Sequence, residues 1–382
     1  MQVRKLDTQR GQDVRQFINF PFKLYHNCPQ WVPPIVSDME LVLNCRKYPF
    51  YRHSVADFFV AESNGKTLGR IAVLDHRSYN DYHHRRTAFF YFFDAVEDIK
   101  VARALFNAAF DWARSRGLNE MIGPRGFMEG DGLGLLVEGF EHRPAMGIPY
   151  NYAYYDAFVR DSGFEKDTDF LSGYLRGDYE LPQRFFDIAE KIKERRGLRI
   201  KSFTSMKELR QWIPRIGRVA NDAFVDNYEY FPLSDEELQV VAERLAQVSD
   251  PRLIKLVMKG DEIIGFAFAF PDLSAAIQRI KGRLWPFGWI HLLLEFKRTK
   301  WVNGNGLGLL PGHQGVGGDA ILFTELAKSI KEFHFEHADI VQVEEKNAKS
   351  LGDMTAIGVE WYKRHRIYRR SLWNVEPMGS YP

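Results

Sequence analysis

Leu309-Leu310-Pro311-Gly312-His313-Gln314-Gly315-Val316-Gly317-Gly318-Asp319-Ala320-Ile321-Leu322 reads as the end of a strand, a glycine-rich turn and the opening of a helix. The helix shows in Leu322, Leu326, Ile330 and Phe333, which fall on one face at helical spacing. Glycines at such a junction let a ligand approach the backbone closely. The first turn of the helix then offers N–H groups without intrahelical partners and the positive end of its dipole. A pyrophosphate fits there. The alternative is that the glycines only make a tight turn. Asp319 bears on the choice, because its carboxylate repels an anion unless it points away or caps a neighbouring N–H. Read one residue earlier, His313 to Gly318 keeps the final glycine but puts Val316 at the central place.

Outward from this stretch the chain repeats itself. A strand pair, Asp57 to Glu62 and Thr67 to Leu74 around Ser63-Asn64-Gly65-Lys66, has its counterpart in Leu253 to Met258 and Ile263 to Phe270 around Lys259-Gly260-Asp261-Glu262. Each second strand opens with a glycine, Gly69 or Gly265. A strand and an amphipathic helix follow, with Val101, Leu105, Ala108 and Trp112 as the first half's stripe. Each half then has a strand, a helix headed by Asn151 or Asn347, and a glycine with an apolar residue, Gly163-Phe164 or Gly358-Val359. Gly69 and Gly265 lie 196 residues apart, Gly163 and Gly358 195, but Leu105 and Leu322 217. The middle excess comes from Pro271 to Lys300 and is balanced by the glycine-rich Gly126 to Gly147. The pattern predicts an α/β chain with mixed sheets and two tandem domains, residues 1–177 and 198–375, joined by a helix in 178–197 and followed by a tail, 376–382.

Composition agrees with two cores. The 382 residues, 45% hydrophobic and 27% charged, are balanced as in globular proteins. A net charge of +2 provides no global field for nucleic acid, so none is expected as a partner. Cys28 and Cys45 have neither zinc spacing nor disulfide density, so no metal is expected and a reducing cytoplasm fits. The N-terminal stretch lacks a secretion signal, and the apolar run Leu284 to Leu294 is short of the roughly 20 residues of a spanning helix.

This order of elements, with Gln314-Gly315-Val316-Gly317-Gly318-Asp319 before Ala320-Ile321-Leu322, resembles the GNAT acyltransferase superfamily and its Gln/Arg-x-x-Gly-x-Gly/Ala loop. Residues 1–375 as a whole also resemble a group of bacterial tandem-GNAT proteins. The resemblance implies two GNAT-like folds and an acyl-coenzyme A dependent N-acyltransferase working on an amine from the C-terminal half, with acetyl-CoA or a longer acyl-CoA as co-substrate. The implied cofactor-binding residues are Leu309, Leu310, Gln314, Gly315, Val316, Gly317, Gly318, Asp319, Ala320 and Asn347. Other readings stay open: a non-catalytic acyl-CoA-binding or sensing protein, or an aminoacyl-tRNA-dependent transferase. The superfamily's frequent Tyr acid falls on Met354 and Phe158, and no Asp or Glu lies between Lys297 and Pro311. His313 is then the nearest titratable group to the thioester, and Glu345, beside Glu344, can bind an amine or act as base. The counterpart loop, Asp94 to Lys100, has three acids and no glycine, so the N-terminal copy is expected to lack the phosphate loop. Tyr150, Tyr152, Tyr154 and Tyr155 can wall an acceptor pocket or pack a core. Residues 271–300 mix aromatics with bases, the make-up of a peripheral membrane contact, of a lid over a fatty chain, or of an ordinary packed helix.

Overall fold

The computed structural model describes residues 1–128, 130–315 and 317–373. In chain order its elements are β1 (Gln2–Lys5), α1 (Gly11–Leu24), α2 (Val36–Val42), β2 (Val55–Ser63), β3 (Lys66–Asp75), α3 (Arg77–His83), β4 (Thr87–Ala95), α4 (Ile99–Ser115), β5 (Glu120–Gly123), β6 (Leu135–Glu138), α5 (Tyr154–Asp161) and β7 (Glu165–Arg176). Then come α6 (Gln183–Arg196), β8 (Leu198–Ser202), α7 (Met206–Ala223), α8 (Asp235–Val248), β9 (Ile254–Lys259), β10 (Glu262–Pro271), α9 (Ser274–Arg279), α10 (Gly288–Arg298), β11 (Trp301–Leu309), α11 (Gly318–Glu332), β12 (His337–Glu344), α12 (Ala348–Ala356) and β13 (Glu360–Ser371).

Two compact units result. Unit 1 holds residues 1–170, 276–289 and 363–382; unit 2 holds 171–275 and 290–362. The division passes through β7 and β13, so each unit takes one part of both strands. In unit 1, β1 to β4 form an antiparallel run, β5 joins β4 in parallel, and β13 pairs antiparallel with β5. In unit 2, β8 to β11 are antiparallel and β12 joins β11 in parallel.

Packing follows the apolar stripes. On α4, Val101, Leu105, Phe106 and Ala109 are buried against Ile71, Val73 and Phe90 of unit 1's sheet. A side chain at Gly69 would collide with Leu105 Cδ1 at 2.8 Å and Val101 Cγ1 at 2.9 Å, so glycine there sets how closely α4 approaches. In unit 2, Ile321 and Leu322 of α11 pack with Ala189 of α6 and with Val257, Ile264 and Leu309 of the strands. The opposite face of that sheet carries Phe266 and Phe270 against Leu209 and Ile216 of α7.

Both units distort the same strand. Between Ala72↔Tyr91 and Arg70↔Asp94, β4 carries an extra residue, with Phe92 at φ 48°. On β11 the pairs Ala269↔Gly304 and Phe268↔Gly306 leave Asn305 unmatched. Such a bulge bends a strand and re-aims the residues beyond it.

Candidate functional site

In unit 2 the bulge lies where two strands part. The parallel ladder of β11 with β12 runs from Trp301↔His337 to Gly304↔Ile340 and ends there, whereas the β11 ladder with β10 continues to Leu309↔Gly265. Among the described residues, no ladder pair joins the rest of β11 to Val341–Glu344. A strand edge left open in this way offers N–H and C=O groups to an extended ligand that carries amides of its own.

The glycine-rich loop lies at the far end of that opening. A short 3₁₀ turn, Pro311–His313, leads to an extended Gln314, Gly315 at φ 70° and Gly317 at φ 87°. Gly315 has open space around its Cα, so only its backbone angle calls for glycine. Gly317 is doubly constrained, because a Cβ would also stand 2.3 Å from Ile192 Cδ1. It is the N-cap of α11 and supplies no side-chain cap. Ile321 N–H donates to Gly317 O at 3.3 Å, and the N–H groups of Gly318, Asp319 and Ala320 belong to the first turn of α11, where a helix has no intrahelical acceptors of its own. Leu309 and Leu310 contribute differently. The Leu309 side chain is core, and the Leu310 N–H already donates to Ile264 O at 2.9 Å. Val316 lies outside the described residues.

Asp319 does not face an incoming anion alone. Its Oδ2 accepts a 2.6 Å hydrogen bond from Lys349 Nζ on α12, and this carboxylate holds the ammonium above its usual pKa range. The pair puts a compensated charge, not a bare carboxylate, in the first turn of α11. Asn347 is committed to its own helix, with Oδ1 accepting from Ser350 N–H at 3.1 Å. His313 is half-buried, and its ring has no partner among the described residues. Glu345 is half-buried and engaged with neighbours.

Buried acids also sit at the vertex of the opening, where the sequence pattern placed none. Asn303 and Asp339 are the ladder pair just before the last one, so their side chains share a face. Both are almost fully buried, and so is Asp272 just beyond β10. Asn303 Nδ2 donates to Asp272 Oδ1 at 3.1 Å, and Ser274 Oγ donates to the same oxygen at 2.7 Å. Asp339 Oδ2 accepts from the Tyr362 hydroxyl at 3.0 Å. Burial, then the charge of Asp339, pushes the Tyr362 phenol far above its ordinary value, so it stays a proton donor to that carboxylate. Asn303 Oδ1 is buried without a hydrogen-bond partner. The sequence offers one signal: Asp339 stands between Ala338 and Ile340 on a strand, and a charge that is buried there is rare unless paired.

The matching place in unit 1 is filled. Arg70 Nε and Nη2 hold Asp94 at 2.8 and 2.7 Å, and the Tyr25 hydroxyl donates to the same carboxylate at 2.9 Å. Tyr155, wholly buried, takes the Ala95 N–H on its hydroxyl at 2.9 Å, and the Tyr154 hydroxyl donates to Ala95 O at 2.9 Å. Asp98 caps α4 through Lys100 N–H at 2.9 Å. Tyr150 and Tyr152 donate to Phe140 O and Leu24 O. These tyrosines are packing and hydrogen-bonding groups of unit 1. Counted from Asn151 and Asn347, Tyr154 and Tyr155 fall at the places of Ser350 and Leu351 in unit 2.

The chain as a whole superposes on known structures. A tandem GNAT protein from the clavulanic acid biosynthesis pathway superposes with a TM-score of 0.57 at 12% identity, covering 98% of this chain and 99% of that one. This chain has the tandem GNAT fold. A probable N-acyltransferase from Enterococcus faecalis aligns with a TM-score of 0.50 at 9% identity, over 97% of this chain and 72% of its own. In sequence, the bacterial ceramide synthase of Caulobacter vibrioides is 27% identical over 370 residues, which is 94% of this chain and 95% of that protein. Protein YghO of Escherichia coli is 25% identical over 367 residues, 94% and 93% of the two chains. No family model matches the chain. Among the described residues no three His, Cys, Asp or Glu side chains gather as metal ligands, and no helix is long and apolar enough to cross a membrane.

Proposed function

We propose that unit 2 transfers an acyl group from acyl-coenzyme A to an amine. The observation that carries the reading is the parting of β11 from β12 after Gly304↔Ile340, with the N–H groups of the first turn of α11 at its far end. The amide-bearing arm of the coenzyme suits the open strand edge. Its pyrophosphate suits Gly315, Gly317, Gly318, Asp319 and Ala320, where the helix N-terminus supplies partial positive charge and the Lys349 ammonium offsets the charge of the Asp319 carboxylate. Gln314, Leu309 and Leu310 frame the same path, and Val316, expected with them, lies outside the described residues.

The chemistry asks for alignment and a proton carrier. The amine nitrogen attacks the thioester carbonyl, a C–N bond forms, the C–S bond breaks, and a proton leaves nitrogen while the thiolate takes one. Asp339, with Asp272 behind Asn303, is the buried acidic pair beside the vertex, and His313, in the short turn before Gly315, is a second candidate proton carrier. Glu345, half-buried just after β12, is the group we assign to the acceptor's charge.

The acceptor class we favour is a long-chain amine. A ceramide is a fatty amide of a long-chain amino alcohol, and a protein of that name matches this chain across nearly its whole length. The exposed apolar segment around Trp285 to Leu294 supports a lipid substrate. Thiol release from acetyl-CoA and long-chain acyl-CoA over a panel of sphingoid bases and water-soluble amines tests the reading. Release with a long-chain acyl donor and a sphingoid base supports it, and coenzyme A binding without release from any pair turns it into a sensor. Met354, buried where a Tyr acid would stand, is the observation that favours that second reading.

A further inference from the structure

We propose that the segment from Leu284 to Lys300 seats the protein on an anionic lipid surface. The inference stands independently of the acyl-transfer reading. Globular proteins turn apolar side chains inward, and here a whole segment turns them out. Trp285 is 83% exposed, Phe287 69% and Leu293 57%, with Trp289, Ile290 and Leu294 also open to solvent. On α10 the exposed Trp289, Ile290, Leu293, Leu294 and Lys297 fall on one side at helical spacing, whereas Leu292, Glu295 and Phe296 are half-buried on the other. The apolar stripe of this helix faces the wrong way for a core.

The segment is also held in shape. The Trp289 N–H donates to Leu284 O at 3.1 Å, closing the turn that displays Trp285 and Phe287, and Trp289 Nε1 donates to Pro286 O at 3.2 Å. Any side chain at Gly288 would run into Arg283 O at 2.0 Å, so the turn is tight. Just before it, Gln278 Nε2 donates to Pro29 O and Trp31 O at 2.8 and 3.0 Å, and Gly282 O accepts from Val36 N–H at 2.9 Å. Little ordering is left to do when the aromatics bind.

Charge selects the occupant. From Lys281 to Lys300 the chain carries Lys281, Arg283, Lys297, Arg298 and Lys300 against a single acid, Glu295. All five bases are exposed. Tryptophan and phenylalanine between exposed bases match a headgroup layer, where rings enter the acyl boundary and ammonium and guanidinium groups meet lipid phosphates. A second copy of this chain would bring the same positive charge to the contact.

Flotation of the full chain tests this with vesicles of phosphatidylcholine alone and of phosphatidylcholine mixed with phosphatidylglycerol, at low and high salt. The chain should float with the mixed vesicles at low salt and lose most of that binding at high salt. Trp285→Ser with Phe287→Ser should lower recovery by more than about tenfold. Lys297→Gln and Arg298→Gln should each lower it about fivefold on mixed vesicles. These side chains are exposed, so the variants keep the parent's circular dichroism and melting midpoint. Equal recovery with and without anionic lipid overturns the proposal, as does parent-like flotation of the aromatic variant. Sedimentation that shows a dimer lost in the Trp285→Ser, Phe287→Ser variant, without vesicle binding, overturns it in favour of a self-association face.

Discussion

Removing the Lys349 ammonium would leave Asp319 as a bare carboxylate in the first turn of α11, beside the place assigned to a pyrophosphate. At about 6 Å and an effective dielectric near 40, one pair of unit charges interacts by about 1.4 kcal/mol. The pyrophosphate carries roughly two such charges, but the Lys349 side chain is 58% exposed and screened by salt, which cuts the gain by about half. Lys349→Ala should therefore weaken coenzyme A binding by about 1–2 kcal/mol, or five- to thirtyfold in Kd. Asp319→Asn should act in the opposite sense, because it frees the ammonium for the phosphates. The double variant, with both charges gone, should return close to the parent. Titration calorimetry at two ionic strengths reads all four proteins, and the differences should shrink as salt rises. If Lys349→Ala and Asp319→Asn bind with the parent's affinity, or both move it in the same direction, the pyrophosphate does not lie at this helix.

The geometry sets four further outcomes. Asp339→Asn keeps the shape of the side chain at the vertex but removes its charge, and should lower kcat by about a hundredfold or more with coenzyme A affinity unchanged; an unchanged kcat makes the buried pair purely structural. Leu351→Tyr places a ring where unit 1 has Tyr155 and should abolish coenzyme A binding while circular dichroism stays that of the parent. Gly317→Val forces a β-branched residue into left-handed backbone 2.3 Å from Ile192 and should lower unfolding stability by about 2 kcal/mol or more, read by urea titration. His365 is buried and donates to Pro149 O at 3.0 Å, and burial pulls its pKa down from 6.5 to about 4. Its contribution is full above pH 6.5 and is lost as pH falls toward about 4, because the unfolded chain takes up the proton first. That amounts to about 3 kcal/mol, so His365→Phe should flatten stability across this window in denaturant titrations at several pH values.

The repeat was legible because each half spells out its elements in order, and the central strand, the glycine turn and the helix of unit 2 lie where periodicity and glycine chemistry place them; the bulge in that strand was not. The direction of Asp319 was not legible. Its partner Lys349 is thirty residues away on another helix, and spacing along one helix says nothing about a neighbour brought up by tertiary packing. Asp272 and Asp339 escaped notice for a related reason: a search for a base along β11 alone misses the strands that flank it on either side. The sharing of β7 and β13 between the units was equally hidden, since the two-residue period of a strand fixes which side chains face inward but not which strand lies alongside.

Why one copy keeps an opening and the other closes it comes down to a few side chains on matching elements. Both central strands are bulged, so each parts from its parallel neighbour and leaves backbone groups that need partners. Unit 1 supplies those partners from its own chain. Tyr155 and Tyr154 take the N–H and C=O of Ala95, and Arg70, Asp94 and Tyr25 seal the space behind them. In unit 2 the corresponding helix carries Ser350 and Leu351 at those places in its first turn, too short to reach across, and the turn before α11 carries glycines in place of Glu97 and Asp98. A tyrosine hydroxyl that both donates to and accepts from one residue's backbone does what a ligand's amide would do. On the proposed reading, the tyrosines of unit 1 copy the contact that a ligand would make in unit 2. The proposal thereby concerns matching backbone groups in both halves, and the acids at the head of α4 suit the positive end of that helix's dipole.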